Sequence, residues 1–240
     1  MYKTRQGRYL SDAHQSTNPS TIQLYRLAIS PASLLILLPS PVTCFSRARY
    51  EQKQVIHLED DTSSLILLDW FTSGRMGYST RNGSGQDEDN AGEAWEFERY
   101  RSENEIWLKG EQITKDVLLL QDEIVETPSI PPDENKASTT TYRHRVEPYS
   151  CYASLFLFGP QCQSLMQHIS KTFLSLIQYK QPRPYSLIWS YSPLEGGGGI
   201  ARCAGHSTEA VKEWVCELLS AEEGGIEELI GKDLWKSTFS

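Results

Sequence analysis

Leu65–Trp70 reads LILLDW, and the next five residues, Phe71–Arg75, read FTSGR. Four consecutive aliphatic residues leave no polar face, which is typical of a strand that is buried on both sides of its sheet. Cys151–Phe158 (CYASLFLF) has the same apolar character. These runs predict a β-rich core in which a sheet is packed on both faces.

Shorter runs extend the strand pattern along the chain, and Pro, Ser and Asp residues separate them. Their lengths favour strands over helices. The predicted strands are Ile22–Ile29, Leu34–Leu38, Val42–Phe45, Gln54–Leu58, Ile106–Leu108, Val117–Leu120, Leu187–Tyr191 and Ile200–Ala204. Trp95 and Phe97 alternate with Glu96 and Glu98, which predicts a further strand with one face in solvent.

Two helices are predicted in the C-terminal half of the chain. The first begins near Pro160, a residue suited to a first helical turn, and apolar residues then recur at helical spacing. These residues are Leu165, Met166, Ile169, Phe173, Leu176 and Ile177. The second begins at Ser207 or Thr208, both good N-caps, and ends at Gly224-Gly225. The predicted fold class is therefore mostly β, with stacked strands and two helices.

The predicted organisation is a single domain of residues 1–235 with a tail at 236–240. Two polar segments inside the domain, Ser79–Gly92 and Val125–Glu147, are rich in Gly, Pro, Ser, Thr or acidic residues. Such segments bury little apolar surface, so we expect both to be mobile surface loops.

The charge balance and the apolar runs exclude two classes of function. The 240 residues carry 23 Lys and Arg against 31 Asp and Glu, a formal net charge of -8, whereas proteins that bind nucleic acid usually have a basic surplus. The most apolar region, Leu24–Leu38, is interrupted by Arg26 and Pro31 and falls short of the roughly 20 apolar residues of a membrane span. We interpret it as a pair of buried strands, and we expect neither a nucleic-acid nor a membrane partner.

The five cysteines include no C-x-x-C pair, which indicates free thiols in a reducing compartment and hence a cytoplasmic protein. No two of the five histidines are three or four residues apart, so the sequence contains no local helical pair of metal ligands.

The sequence also lacks a recognisable catalytic motif, such as a nucleophile elbow or an acid–base pair. Cys203 and His206 form the one local Cys/His pair. A hydrolase or transferase that uses this pair stays open as an alternative. So does a binding module whose contacts come from the loops Ser79–Gly92 and Val125–Glu147.

One series of motifs is more specific than these features. Leu67–Arg75 (LLDWFTSGR) is followed by Gly92-Glu93 and then by Trp95–Ser102 (WEFERYRS). In this order they resemble the central motif of the UreD (UreH) family of urease accessory proteins. Further stretches that resemble family motifs are Leu38–Phe45, Ala48–Gln52 and Arg202–Glu209. The resemblance is carried by residues that we expect to have structural or partner-facing roles: Asp69, Trp70, Gly74, Arg75, Gly92, Glu93, Arg202, Gly205 and Glu209.

The resemblance implies a non-enzymatic chaperone with a stacked-strand fold. UreD proteins act with UreF and UreG proteins on apo-urease, and they are thought to guide nickel through an internal passage towards the urease active site. For this chain the resemblance therefore implies UreF-like and UreG-like partners, apo-urease, nickel in transit and no stably bound cofactor.

The resemblance also has implications for the ends and insertions of the chain. The segment between Arg75 and Gly92 is an insertion of the kind expected in a eukaryotic, fungal-like member. Tyr2-Lys3 matches a point that the family reaches only after a substantial N-terminal part. We therefore expect the domain to be incomplete at its N-terminus, with an exposed sheet edge where the preceding strands would pair.

Overall fold

The computed structural model describes residues 20–75, 93–122, 141–177, 186–221 and 224–238. These residues form ten β-strands and five α-helices, with a short 3-10 turn at Pro160–Cys162. The strands are β1 (Thr21–Ile29), β2 (Leu34–Leu37), β3 (Val42–Thr43), β4 (Arg49–Leu58), β5 (Ser64–Thr72), β6 (Arg99–Leu108), β7 (Glu111–Gln121), β8 (Cys151–Phe158), β9 (Leu187–Leu194) and β10 (Gly198–Gly205). The helices are α1 (Tyr142–Val146), α2 (Gln163–Ile177), α3 (Thr208–Leu219), α4 (Ile226–Ile230) and α5 (Lys232–Thr238).

The strands form two sheets that face each other. The four-stranded sheet has the order β1-β4-β6-β7, in which β1, β4 and β6 are parallel and β7 is antiparallel to β6. The six-stranded sheet has the order β2-β5-β8-β10-β9, and β3 pairs with β5 beyond the end of β2. The predicted fold class, mostly β with two main helices in the C-terminal half, is confirmed.

Strand β5 is the centre of the packing, because both of its faces are buried. Ile66, Leu68 and Trp70 pack in an apolar cluster with residues of α2 and α3. Leu65 and Leu67 point the other way, into a cluster shared with the four-stranded sheet. The aliphatic run therefore forms the two-faced strand that the sequence predicts.

The two predicted helices cover the outer face of the six-stranded sheet. The Ser207 hydroxyl caps α3 and accepts a hydrogen bond from the Ala210 amide at 3.1 Å, as predicted from its N-cap preference. Helix α3 ends at Leu219, earlier than the predicted Gly224-Gly225. The short helices α4 and α5 follow, and the sequence analysis missed both.

The strand predicted at Trp95–Glu98 is wrong, because this segment is a turn that precedes β6. Trp95 has a positive φ of 60°, and its amide donates to the Ser73 carbonyl at 2.7 Å. Trp95 and Phe97 are both buried in one aromatic cluster with Phe71, and Glu96 between them is exposed. The predicted alternation of dry and wet side chains is therefore present, but a turn produces it rather than a strand.

Three further expectations need correction or lie outside the described residues. Strand β1 is an edge strand with Ile22 and Leu24 exposed, and all four residues of β2 are only half-buried. The pair of buried strands predicted over Leu24–Leu38 is therefore wrong for β1 and only partly right for β2. Tyr142–Val146, predicted as loop, is helix α1, and the Tyr142 hydroxyl donates to the Phe97 carbonyl at 2.6 Å. The predicted loop at 79–92 and the first part of the other, at 125–140, lie outside the described residues.

A network of charged side chains lies on the outer face of the four-stranded sheet. Glu103, with a side chain only 3% exposed, accepts hydrogen bonds from Lys53 Nζ at 2.8 Å and Lys115 Nζ at 3.0 Å, and it also pairs with Arg101. Both lysines bond Glu105 as well. The hydrogen bond from Lys53 is the main reason why the pKa of Glu103 lies well below its usual range.

Glu103→Gln is expected to lower the free energy of unfolding by about 1–3 kcal/mol, because the cations around it lose the negative charge of this carboxylate. The loss stays below that of a fully buried pair, since both lysines reach solvent. The folded-state pKa is depressed, so the wild-type advantage is complete above the ordinary Glu pKa of about 4.3. It shrinks as the pH falls below that value.

Urea unfolding midpoints measured from neutral to acidic pH would show this difference. Glu98→Gln is the matched control, because the Glu98 carboxylate lies 3.7 Å from both Arg47 and Arg49 at the surface. The control should change stability by less than about 0.5 kcal/mol. Equal losses for the two variants, or a difference that does not vary with pH, would contradict the assignment.

Candidate functional site

A layer of polar side chains crosses the space between the two sheets. Most of that space is apolar, with an aromatic cluster around Phe71 and Tyr100 on one side of the layer and an aliphatic cluster around Leu67 and Ile106 on the other. The polar layer consists of Gln23, Gln52, Gln54, Ser102, Asn104 and Asp116 from the four-stranded sheet, and Asp69, Ser154 and Arg202 from the six-stranded sheet.

The strand registers create this layer. Gln52 pairs in register with Ser102, and Gln54 pairs with Asn104, so the four side chains share the inner face of neighbouring parallel strands. On the opposite sheet Asp69 is in register with Ser154. Because side chains two positions apart lie on the same face, alternate polar residues line up across each sheet.

Asp69 is the most strongly bonded member of the polar layer. Its carboxylate accepts hydrogen bonds from Ser102 Oγ at 2.5 Å, Asn104 Nδ2 at 2.7 Å and Gln52 Nε2 at 3.1 Å. All three donors belong to the facing sheet, so these bonds connect the two sheets across the core. The donors are neutral, and among the described residues no Lys, Arg or His forms an ion pair with Asp69.

Burial raises the pKa of the Asp69 carboxyl, and its three hydrogen bonds oppose this effect. A partly buried carboxylate with only neutral hydrogen-bond donors is stabilised in its charged form by any cation that comes close. The residue is therefore suited to a transient cation contact.

Two cavities meet at Asp69, which is the one described residue that lines both. The larger, of about 230 Å³, is bounded by Ser102, Asn104 and Arg202 among others. The smaller, of about 110 Å³, has Gln52 and Trp70 in its wall. The three donors to Asp69 are divided between the cavities, since Ser102 and Asn104 line the larger and Gln52 lines the smaller.

Arg202 and Asp116 form a second link between the sheets, at the wall of the larger cavity. Arg202 Nη2 donates to Asp116 Oδ1 at 2.7 Å. Arg202 lies in the six-stranded sheet and Asp116 in the four-stranded one. The structure therefore brings two of the predicted residues, Asp69 and Arg202, to one cavity.

Gly74, Arg75 and Glu93 form a separate cluster, although residues 76–92 lie between the last two in sequence. Arg75 Nε donates to Glu93 Oε2 at 3.0 Å and Nη2 to Glu93 Oε1 at 2.5 Å, a bidentate ion pair. These bonds lower the pKa of Glu93. The Arg75 guanidinium also lies 4.5 Å from the centre of the Phe45 ring. The cluster joins the two halves of the motif.

The remaining predicted residues lie apart from the polar layer or are not described. Trp70 points to the helix side of β5, where its Nε1 donates to the Pro39 carbonyl at 2.7 Å. Gly205 ends β10 and Glu209 is exposed in the first turn of α3. Gly92 lies outside the described residues. The residues of the motif series therefore do not form one site. The two strands that carry the motif, β5 and β6, are not neighbours in one sheet but lie in the two facing sheets.

The Cys203/His206 pair has little support as a nucleophilic centre. Cys203 is buried, and burial raises the pKa of its thiol, so little thiolate is present at neutral pH. The exposed ring of His206 lies 5.0 Å, centre to centre, from the Tyr149 ring. The described residues likewise contain no group of three or more His, Cys, Asp or Glu that could hold a metal ion.

Of the residues in the polar layer, only Asp69 and Arg202 could be singled out from the sequence. All five residues of Arg101–Glu105 are polar (RSENE), so no alternation shows which of them face inward. Tyr100 and Ile106 could have shown which of these residues face inward. Both are large apolar residues, and each is separated by an even number of positions from Ser102 and Asn104, so all four share one face of the strand.

None of the described helices combines the length and the apolar character needed to cross a membrane. The sequence matches the family model described as UreD urease accessory protein over residues 10–233. It is also similar to urease accessory protein 4 of Cryptococcus neoformans var. grubii, with 31% identity over 243 residues, which cover 98% of this chain and 69% of that protein.

Plant proteins show the same similarity. Urease accessory protein D of Arabidopsis thaliana is 27% identical over 223 residues, 84% of this chain and 66% of the relative. The protein of that name from Oryza sativa subsp. indica is 31% identical over 221 residues, 84% of this chain and 63% of the relative. The chain thus spans about two thirds of the length of these relatives. The names describe accessory proteins rather than enzymes, in agreement with the expected non-enzymatic role, and the chain belongs to the UreD family of urease accessory proteins.

Proposed function

We propose that this chain helps to insert nickel into apo-urease as a scaffold that acts together with UreF-like and UreG-like proteins. The observation that supports the proposal most directly is the polar layer, in which Asp69 lies between two cavities. In this role the chain makes and breaks no covalent bond, and nickel is its cargo rather than a resident cofactor. The cytoplasmic location stays a prediction.

The donor set of the polar layer suits an ion that passes through. Carboxylate, amide and hydroxyl oxygens hold divalent nickel less firmly than imidazole or thiolate ligands do. A route for an ion needs contacts that are favourable enough to admit it and weak enough to release it. Asp69 supplies a carboxylate, and Gln52, Ser102 and Asn104 hold it in place by donating hydrogen bonds to it. An ion that reached Asp69 would compete with these neutral donors, which keeps the contact weak.

The apolar clusters on both sides of the layer support the same role. The cluster around Leu67 contains only aliphatic and phenylalanine side chains. In the cluster around Phe71, burial raises the pKa of the Cys44 thiol and of the Tyr100 hydroxyl, so both stay protonated at neutral pH and are poor ligands for an ion. Moving a cation into either cluster would carry a large desolvation penalty. An ion between the sheets would therefore be confined to the polar layer.

Complementation of a urease-positive fungus or plant cell line that lacks its own UreD gene would test this function. The chain is expected to restore urease activity and the nickel content of urease, and to co-purify with UreF-like and UreG-like proteins. The Cryptococcus neoformans relative serves as the positive control. A chain that is folded in the cell, yet neither binds a UreF-like protein nor changes urease activation, would refute the proposal.

A further inference from the structure

Two contacts between the sheets belong to the wall of the larger cavity. In one, Asn104 Nδ2 donates to Asp69 Oδ2 at 2.7 Å, and in the other Arg202 Nη2 donates to Asp116 Oδ1 at 2.7 Å. Asp69 and Arg202 are both in register with Ser154, which lies between them on β8. On the facing sheet Asn104 is in register with Asp116. The strand registers therefore place the two contacts side by side, and all five residues line the cavity.

The larger cavity thus has two carboxylates in its wall, Asp69 and Asp116. Burial is the main cause of the raised pKa of Asp69, and the negative charge of Asp116 raises it further, so the two groups interact. A divalent cation binds more tightly when more carboxylates surround it. The two carboxylates differ in their partners, because Asp69 accepts from neutral donors whereas Asp116 accepts from a guanidinium.

The ion pair between Arg202 and Asp116 affects the charge at this cavity more than it affects stability. The Arg202 side chain is 45% exposed and that of Asp116 is 24% exposed, and ion pairs that reach solvent contribute little to stability. The smaller cavity offers a contrast, since Asp69 is the one charged residue among the described residues that line it. The two carboxylates therefore meet at the larger cavity, where Arg202 neutralises one of them.

We propose that Arg202 limits the affinity of the larger cavity for divalent cations, because it holds the Asp116 carboxylate away from an ion that contacts Asp69. The inference rests on the proposed function, since it explains how nickel that reaches the polar layer can leave it again. With Asp116 paired, the ion meets one available carboxylate. Without the guanidinium, two carboxylates would hold the same ion and retain it. Arg202 is thus a positioning residue and not a ligand.

Calorimetric titration of the full chain with Ni²⁺ alone tests the proposal. Arg202→Gln is expected to tighten nickel binding by about tenfold or more, because it releases the Asp116 carboxylate. Asp116→Asn is expected to weaken binding by a similar factor, since it leaves the charge of Arg202 without its partner beside the cavity. Both variants break the same ion pair, so a merely structural role would change the affinity in the same direction. Arg202→Lys keeps the positive charge and should bind nickel within about threefold of the wild type.

Two further variants separate this cavity from other places where nickel could bind. Combining Asp69→Asn with Arg202→Gln should cancel the gain in affinity, because the second carboxylate is then missing. Arg143→Gln is the matched control, since Arg143 Nε bonds Glu147 at 2.6 Å at the surface and should change affinity by less than about twofold. Melting temperatures establish which variants are folded. Arg202→Gln and Asp116→Asn each make their own prediction, so the test stands if one of them does not fold.

The outcomes distinguish the inference from the function on which it rests. An Arg202→Gln chain that binds Ni²⁺ no more tightly than the wild type would overturn the inference while the proposed function stands. So would a gain that persists without Asp69, or an Asp116→Asn chain that binds more tightly. A wild-type chain that fails to restore urease activity in the complementation experiment would overturn the proposed function itself, whatever its affinity for nickel.

Discussion

Urease activation should fall by about ten- to a hundredfold when Asp69 is replaced by asparagine, a loss typical of a disrupted metal contact. The change removes the carboxylate charge from the polar layer and keeps the side-chain size. The new amide group also places a donor against Ser102, Asn104 or Gln52, which all donate to the native side chain. One of these contacts is lost, and stability falls by about 1–3 kcal/mol.

Activity and stability must be separated to interpret this variant. The nickel content and specific activity of urease would be measured alongside the melting temperature and partner binding of the chain. Ser102→Ala is the matched control, because it removes one donor to Asp69 and keeps the carboxylate. The control should lose stability and retain most activation. If Asp69→Asn activates urease normally, or Ser102→Ala is equally inactive at the same melting temperature, Asp69 has no direct part in nickel handling.

Gly74→Ala is expected to destabilise the chain by about 3 kcal/mol or more, the sum of backbone strain and a steric clash. Gly74 has a φ of 140°, where side chains are strongly disfavoured. A Cβ atom there would lie 2.1 Å from the carbonyl oxygen of Glu93. That backbone cannot move freely, because the Glu93 amide donates to the Arg75 carbonyl at 3.2 Å.

Gly110→Ala separates the two contributions. Gly110 also has a positive φ, 84°, but a Cβ atom there would meet nothing within 4 Å. The control should therefore lose only about 1 kcal/mol from backbone strain. Denaturant midpoints at unchanged m-value give both differences. If the two variants lose similar amounts of stability, the predicted clash with the Glu93 carbonyl does not contribute to the effect of Gly74→Ala.

The strands with continuous apolar runs could be predicted from local sequence. A strand that is buried on both faces is apolar at every position, whichever elements pack against it. Cys151–Phe158 was placed to the residue, and Leu65–Trp70 lies inside β5. In contrast, only Gln54–Leu58 of β4 was predicted. Its first half, Arg49–Lys53, is almost entirely polar, and Tyr50 and Gln52 are buried there only because the opposite sheet supplies their environment.

The candidate site was harder to predict, for a related physical reason. Asp69 is indicated in the sequence only by the family motif that contains it. Its donors Gln52, Ser102 and Asn104 come from two strands of the facing sheet. Which sheet a strand joins depends on contacts between residues far apart in sequence. The local alternation of apolar and polar residues indicates a strand but does not identify its neighbours.

The ion pair between Arg75 and Glu93 has a consequence for how the chain tolerates change in length. Both the side chains and the backbone of these residues are bonded to each other, so the two ends of the segment between them are held together at a single stem. The entropy needed to close such a stem grows only with the logarithm of the intervening length. Sequences of very different size can therefore be spliced between the two residues with little effect on the sheets, which makes this position suitable for a genetically encoded reporter or an affinity handle.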